Sequence, residues 1–222
     1  MVPGNIILLD AGLENRMNES EIRKQMSKTI RYFDETQLRK RLALFINQNF
    51  REIDCNRIVA FGGSSLGYAK NDKLPSLGGQ IYGYDELPLV LQIQHAALLT
   101  MQTELRNLRK GDVPIFLQDP DYAEEDQKAA KELGMTIVNG HFGFEEGWIQ
   151  IDESTLVVDL HTTFPPLLQL AFEISRPAGI LTVFPYKAGM LKALDKVFAP
   201  FSYTIFNLDD EPKPITVPGM GV

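Results

Sequence analysis

Short, almost wholly apolar runs recur along the chain, each separated by a stretch of helical periodicity, and this alternation limits the fold more than any other feature. Residues 57–61, 113–117, 135–138, 155–160, 179–184 and 201–206 read as strands. Runs that carry apolar residues at consecutive positions suit strands buried on both faces, as in parallel sheets covered by helices on each side. The expected class is therefore α/β: a Rossmann-like, mostly parallel sheet with helices on both faces.

The segments between the strands support this layout. From Asp34, a candidate helix cap, Leu38, Leu42, Phe45, Ile46 and Phe50 fall near helical spacing on one face. Asp85-Glu-Leu-Pro opens a long helix to about Leu108, with Pro88 accommodated in the first turn and Gly111 marking the end. Asp121-Tyr-Ala-Glu124 has capping-box spacing, and Gly134 stops the helix that follows. Residues 20–28 read as a short surface helix in an arm or lid, residues 68–84 as a long loop of the kind that is functional or mobile, and 139–152 as irregular. A last helix is expected over residues 190–197. The division expected from this pattern is an arm over 1–33, one α/β domain over 34–208 and an extended tail over 209–222.

Composition excludes several function classes. A formal net charge of −7 argues against a broad nucleic-acid surface, which needs clustered Lys and Arg. The single cysteine, Cys55, allows no intramolecular disulfide and reads as a small buried residue ahead of the first core strand. His95, His141 and His161 lie far apart without zinc-ligand spacing, so no metal is expected. The opening residues carry a four-residue apolar run, too short for a signal peptide or a membrane span. These features suit a cytoplasmic protein, with the nucleus as a second compartment it can enter.

In a sheet of this kind ligands bind beyond the carboxyl ends of the strands. Four strands end there in polar or glycine-rich sequence: Gly62-Gly63-Ser64-Ser65, Asp119-Pro120-Asp121, His161-Thr162-Thr163 and Pro185-Tyr186-Lys187. Gly62, Gly63 and Gly67 allow close approach to the backbone, while Ser64 and Ser65 offer hydroxyls and amides to an anion or a ribose. Residues 70–84 separate the turn from the next helix, which weakens a dinucleotide reading considerably. Asp119 stands where an acidic residue accepts from ribose hydroxyls. Asp121 reads as a ligand contact or as a helix cap.

His161, with Thr162 beside it, reads either as a base, proton donor or cofactor ligand facing the crevice, or as a packed histidine bonded to a loop carbonyl. His95 reads as packing and His141 as solvated. Ser64 or Ser65 as a nucleophile lacks the Gly-x-Ser-x-Gly elbow and would need His161 with a carboxylate such as Asp159.

Four of these pieces, in order, resemble the sensitivity-to-red-light-reduced family with its SRR-like domain. They are Ile58-Val-Ala-Phe-Gly-Gly-Ser-Ser65, Gln94-His-Ala-Ala-Leu-Leu99, Asp119-Pro120 and Leu156-Val-Val-Asp-Leu-His161, spanning roughly residues 55–175. The resemblance adds Gln94 to the expected ligand contacts. The chain departs from the family pattern where Gln118 replaces an aromatic, where Gly62-Gly63 replaces Gly-Leu-Gly, and where Thr162 replaces a cysteine. The family is linked to light and circadian signalling in plants and to haem-related regulation in animals.

The resemblance thus implies a regulatory or ligand-binding role. With the polar residues converging at the strand ends, the expected function is a regulatory protein that binds a small nucleotide-like or anionic ligand, of unknown identity, at the carboxyl edge of the sheet. The alternative is a transferase, either an adenosyl-dependent methyltransferase or an acyl or aminoacyl transferase of cyclodipeptide-synthase type acting through Ser64 or Ser65. A third reading gives the loop at 68–84 and the N-terminal arm a protein partner. No membrane contact is expected.

Overall fold

The computed structural model describes residues 16–68, 87–138, 146–160, 171 and 173–182. Five parallel strands form one sheet: β1 (Arg57–Phe61), β2 (Ile115–Gln118), β3 (Met135–Ile137), β4 (Thr155–Asp159) and β5 (Gly179–Thr182). Their order is β3-β2-β1-β4-β5. The chain builds outward from β1 to β3, returns across the sheet, and places β4 on the other side of β1. This is the Rossmann-like arrangement, with its reversal of strand order between β1 and β4.

The two faces of β1 show why the apolar runs are continuous. Ile58 and Ala60 pack into a large core with Ile115, Leu117, Leu156 and Val158, which the helices α1 (Glu19–Asp34), α2 (Gln37–Asn49), α3 (Leu87–Arg109) and α4 (Glu124–Glu132) enclose. Val59 and Phe61 face the other way, into a smaller cluster with Val157, Ile151 and Ala171, covered in part by Trp148 of the single-turn helix α5 (Glu146–Ile149). The Phe61 and Trp148 ring centroids are 4.5 Å apart. Helices therefore cover both faces, as expected from the pattern.

Several local features differ from the sequence reading. The segment at 20–28 belongs to a 16-residue helix and is no surface arm: Ile22, Met26, Thr29 and Phe33 repeat every three or four residues and are buried against α3 and α4. Asn18 and Glu21 cap it reciprocally, at 3.1 and 3.0 Å. Asp34 ends α1 rather than capping α2, whose cap is Thr36, accepting from the Arg39 amide at 3.1 Å.

The cap of α4 is Ala123, with Asp126 reaching back to the Ala123 amide at 2.7 Å, so the Asp121–Glu124 box does not form. Gly134, at φ +80, does end that helix in the left-handed conformation open to glycine. One helical turn, α5, interrupts the stretch read as irregular. The strand at 201–206, the helix at 190–197, the tail, residues 1–15 and nearly all of the loop at 68–84 lie outside the described residues.

Candidate functional site

Strand β1 ends at the reversal point, and its last groups are bonded on both sides. The Leu160 amide, just past β4, donates to the Phe61 carbonyl at 2.9 Å, and the Gly62 amide donates to the Gln118 carbonyl at 3.2 Å. The chain then turns sharply through two left-handed residues, Gly62 at φ +73 and Ser64 at φ +55. The second is unusual for a residue with a side chain, and local hydrogen bonds hold it there. The Ser64 amide donates to Asp119 Oδ2 and its hydroxyl to Asp121 Oδ2, both at 2.9 Å, while Asp119 Oδ1 accepts from the Asp121 amide at 2.9 Å.

A second carboxylate secures the far side of the turn. Buried Asp126 accepts from the Ser65 hydroxyl at 2.9 Å, the Gly67 amide at 2.9 Å and the Ala123 amide at 2.7 Å. Burial pushes its carboxyl above the ordinary range, and these hydrogen bonds together with Arg16 oppose that rise. Arg16 donates to the Asp121 carbonyl at 2.9 Å, lies 3.7 Å from Asp126 and stacks 5.6 Å from the centre of the Tyr68 ring. Ser65 is itself buried, and its oxygen also accepts from the Gly67 amide.

On the inner side of the turn, Gly63 meets Tyr122 and His95. A methyl group on Gly63 would collide with the Tyr122 hydroxyl and would lie 3.2 Å from His95 Nε2 and 3.3 Å from Leu160 Cδ1. The glycine is required by space here. His95 is wholly buried; its Nδ1 is 2.7 Å from the Leu91 carbonyl and its Nε2 is 2.8 Å from the Tyr122 hydroxyl. A carbonyl only accepts, so Nδ1 carries the proton and Tyr122 donates to Nε2. Burial lowers the His95 pKa to about 4, which keeps the ring neutral, and raises that of Tyr122.

Beside His95 on α3, Gln94 Nε2 reaches the Leu160 carbonyl at 3.5 Å. That contact orients the amide, and its other atom, Oε1, is buried with no hydrogen-bond partner among the described residues. Gln92, on the same helix, acts as a strut: it accepts from Thr29 at 2.9 Å and donates to the Leu66 carbonyl at 3.4 Å, tying α1, α3 and the turn together.

The structure thus gathers Ser64, Ser65, Gly67, Asp119 and Asp121 in one hydrogen-bonded turn that begins with Gly62 and Gly63, and brings Gln94 to the end of β4. His161, Thr162, Lys187 and His141 lie outside the described residues. Sequence reasoning did not single out Asp126, Tyr122, Gln92 or Arg16. Asp126 carried a signal, since it stands three residues after Ala123 at the true helix start; Tyr122 and Arg16 carried none of comparable strength.

Residues 86–182 match a family model described as the SRR1 domain. This segment of the chain is similar to the SRR1 domain. Within the SRR-like segment lie the Gln94 helix, Asp119-Pro120 and the strand leading to His161, whereas β1 and its Gly/Ser turn precede it. No curated protein matches the chain. Among the described residues of this SRR-like protein, no helix is long and apolar enough to cross a membrane, and no His, Cys, Asp and Glu group together as a metal site.

Proposed function

We propose that this SRR-like protein is regulatory and binds a small nucleotide-like or anionic ligand at the carboxyl edge of the sheet, over Gly62, Gly63 and Leu160. One observation carries the reading. At the β1–β4 reversal point, where open α/β sheets take ligands, Gly63 is stripped of a side chain by its neighbours, and at the end of β4 Gln94 Oε1 has no partner among the described residues. In this reading Ser64, Ser65, Gly67, Asp119 and Asp121 hold the turn in shape, and Gln94 meets the ligand. His161 and Thr162 keep the ligand-facing role expected from their place directly after β4.

The transferase alternative fits less well. Both candidate nucleophiles already donate to carboxylates, Ser64 to Asp121 and Ser65 to Asp126. His95 uses both ring nitrogens on Leu91 and Tyr122. An acyl-transfer oxyanion needs donors aimed at it, and this corner would surround it with carboxylates.

Thermal-shift measurements with AMP, ATP, S-adenosylmethionine and haem test the proposal. A ligand at a hundred times its Kd adds about 2.7 kcal/mol, so one of these is expected to raise Tm by about 5–10 °C. No shift with any of them would overturn it.

A further inference from the structure

Resting on the ligand-binding reading above, we infer that the β1–β4 corner reads hydrogen-bond donors: it takes the hydroxyl or amino edge of a nucleoside-like ligand and keeps phosphate away.

Two acceptors face this corner. The Tyr122 hydroxyl has spent its only proton on His95 Nε2, because His95 Nδ1 is committed to the Leu91 carbonyl. Only the oxygen's lone pairs are left for a further hydrogen bond. Gln94 is oriented by the Leu160 carbonyl so that Nε2 is the bonded atom, and Oε1 is left buried without a partner among the described residues. Both side chains adjoin Leu160: its side chain lies with Tyr122 and His95 around the position of a Gly63 side chain, and its carbonyl accepts from Gln94. A buried carbonyl oxygen is costly until it accepts a hydrogen bond. A ligand bringing N–H or O–H groups satisfies both oxygens, whereas a phosphate brings only acceptors.

The turn itself points the same way. A phosphate-cradling turn leaves successive amides open toward the anion. Here the Ser64 and Gly67 amides are already bonded to the Asp119 and Asp126 carboxylates. The protein supplies its own anions to the turn, and a second anion would meet like charge. A nucleoside's ribose or amino group carries no such penalty.

Calorimetric titration of the full chain with adenosine, AMP and 2′,3′-dideoxyadenosine tests this, using wild type, Gln94→Met and Tyr122→Phe. The expected result is adenosine binding at least about tenfold tighter than AMP. Each variant should weaken adenosine about tenfold, near the value of one hydrogen bond, and change dideoxyadenosine less if the ribose is the group read. Equal loss for both nucleosides assigns the amino edge and supports the inference as well. AMP binding as tightly as adenosine, or adenosine binding untouched in both correctly folded variants, overturns the inference and leaves ligand binding at this edge standing. Binding of none of the three overturns the inference, and the thermal-shift panel then decides the broader reading separately.

Discussion

The Tyr122 hydroxyl occupies the space where a Gly63 side chain would begin, and it is held there by a 2.8 Å hydrogen bond to His95 Nε2. Strand β1, helix α3 and the start of α4 are locked together at this one point, directly below the reversal in strand order. Gly63→Ala should therefore push Tyr122 away and destabilise the protein by about 1–3 kcal/mol, the usual cost of overpacking. Combined with Tyr122→Phe, which removes the colliding oxygen, the loss should be smaller than the sum of the two single losses. Urea unfolding of the four proteins in this cycle measures that coupling.

His95 should give stability a distinctive pH dependence. Its pKa is about 4 in the folded protein because of burial, against an ordinary value of 6.5, so between these limits the unfolded chain binds the extra proton. Stability should be fully present above pH 6.5 and fall as the pH drops toward 4, by about 3 kcal/mol over the whole window. His95→Gln should flatten that slope. Unfolding free energies at several pH values between 4.5 and 7 compare the two proteins directly.

Replacing Asp126 should cost more than replacing either serine of the turn. Asp126→Ala leaves the Ser65 hydroxyl and the Gly67 and Ala123 amides without their shared acceptor and Arg16 without its buried counter-charge. A loss of about 3 kcal/mol is expected. Ser64→Ala, which removes one hydrogen bond to Asp121 at a more open position, should cost about 1 kcal/mol.

Cys55 is buried, and burial pushes its thiol up to about 11. Thiolate is the reactive form, so a thiol reagent at pH 8 should leave the native protein untouched and label Cys55 only on unfolding. Rapid labelling of the folded protein would show that the region ahead of β1 opens.

Much of this architecture was legible in the chain. Strand β1 was read residue for residue because both of its faces are buried, so Ile58 and Ala60 on one side and Val59 and Phe61 on the other all had to be apolar. Helix α1 reads as a surface helix because its buried stripe includes Thr29, whose hydroxyl is satisfied by Gln92, 63 residues away. The start of α4 is hidden for a similar reason. Asp121 had the spacing of a cap, but its carboxylate is taken by Ser64, and the true reciprocal residue, Asp126, is also the partner of Ser65, 61 residues earlier. The Gly/Ser turn and Asp119 were legible as polar residues at strand ends. That the turn's own carboxylates fill it, and that Gly63 exists to admit a tyrosine hydroxyl, depended on contacts between distant segments that periodicity and capping patterns do not encode.

The central claim, that the end of β1 is where this SRR-like protein takes a small ligand, is tested most directly by amide chemical-shift mapping. The labelled protein would be titrated with adenosine, AMP, S-adenosylmethionine and haem. At least one compound should shift the amides of Gly62, Gly63, Ser64, Gln94 and Leu160 in a saturable way, with little change in α2 or at the outer strand β3. Saturable shifts centred elsewhere, or no shifts with any of the four, would contradict it.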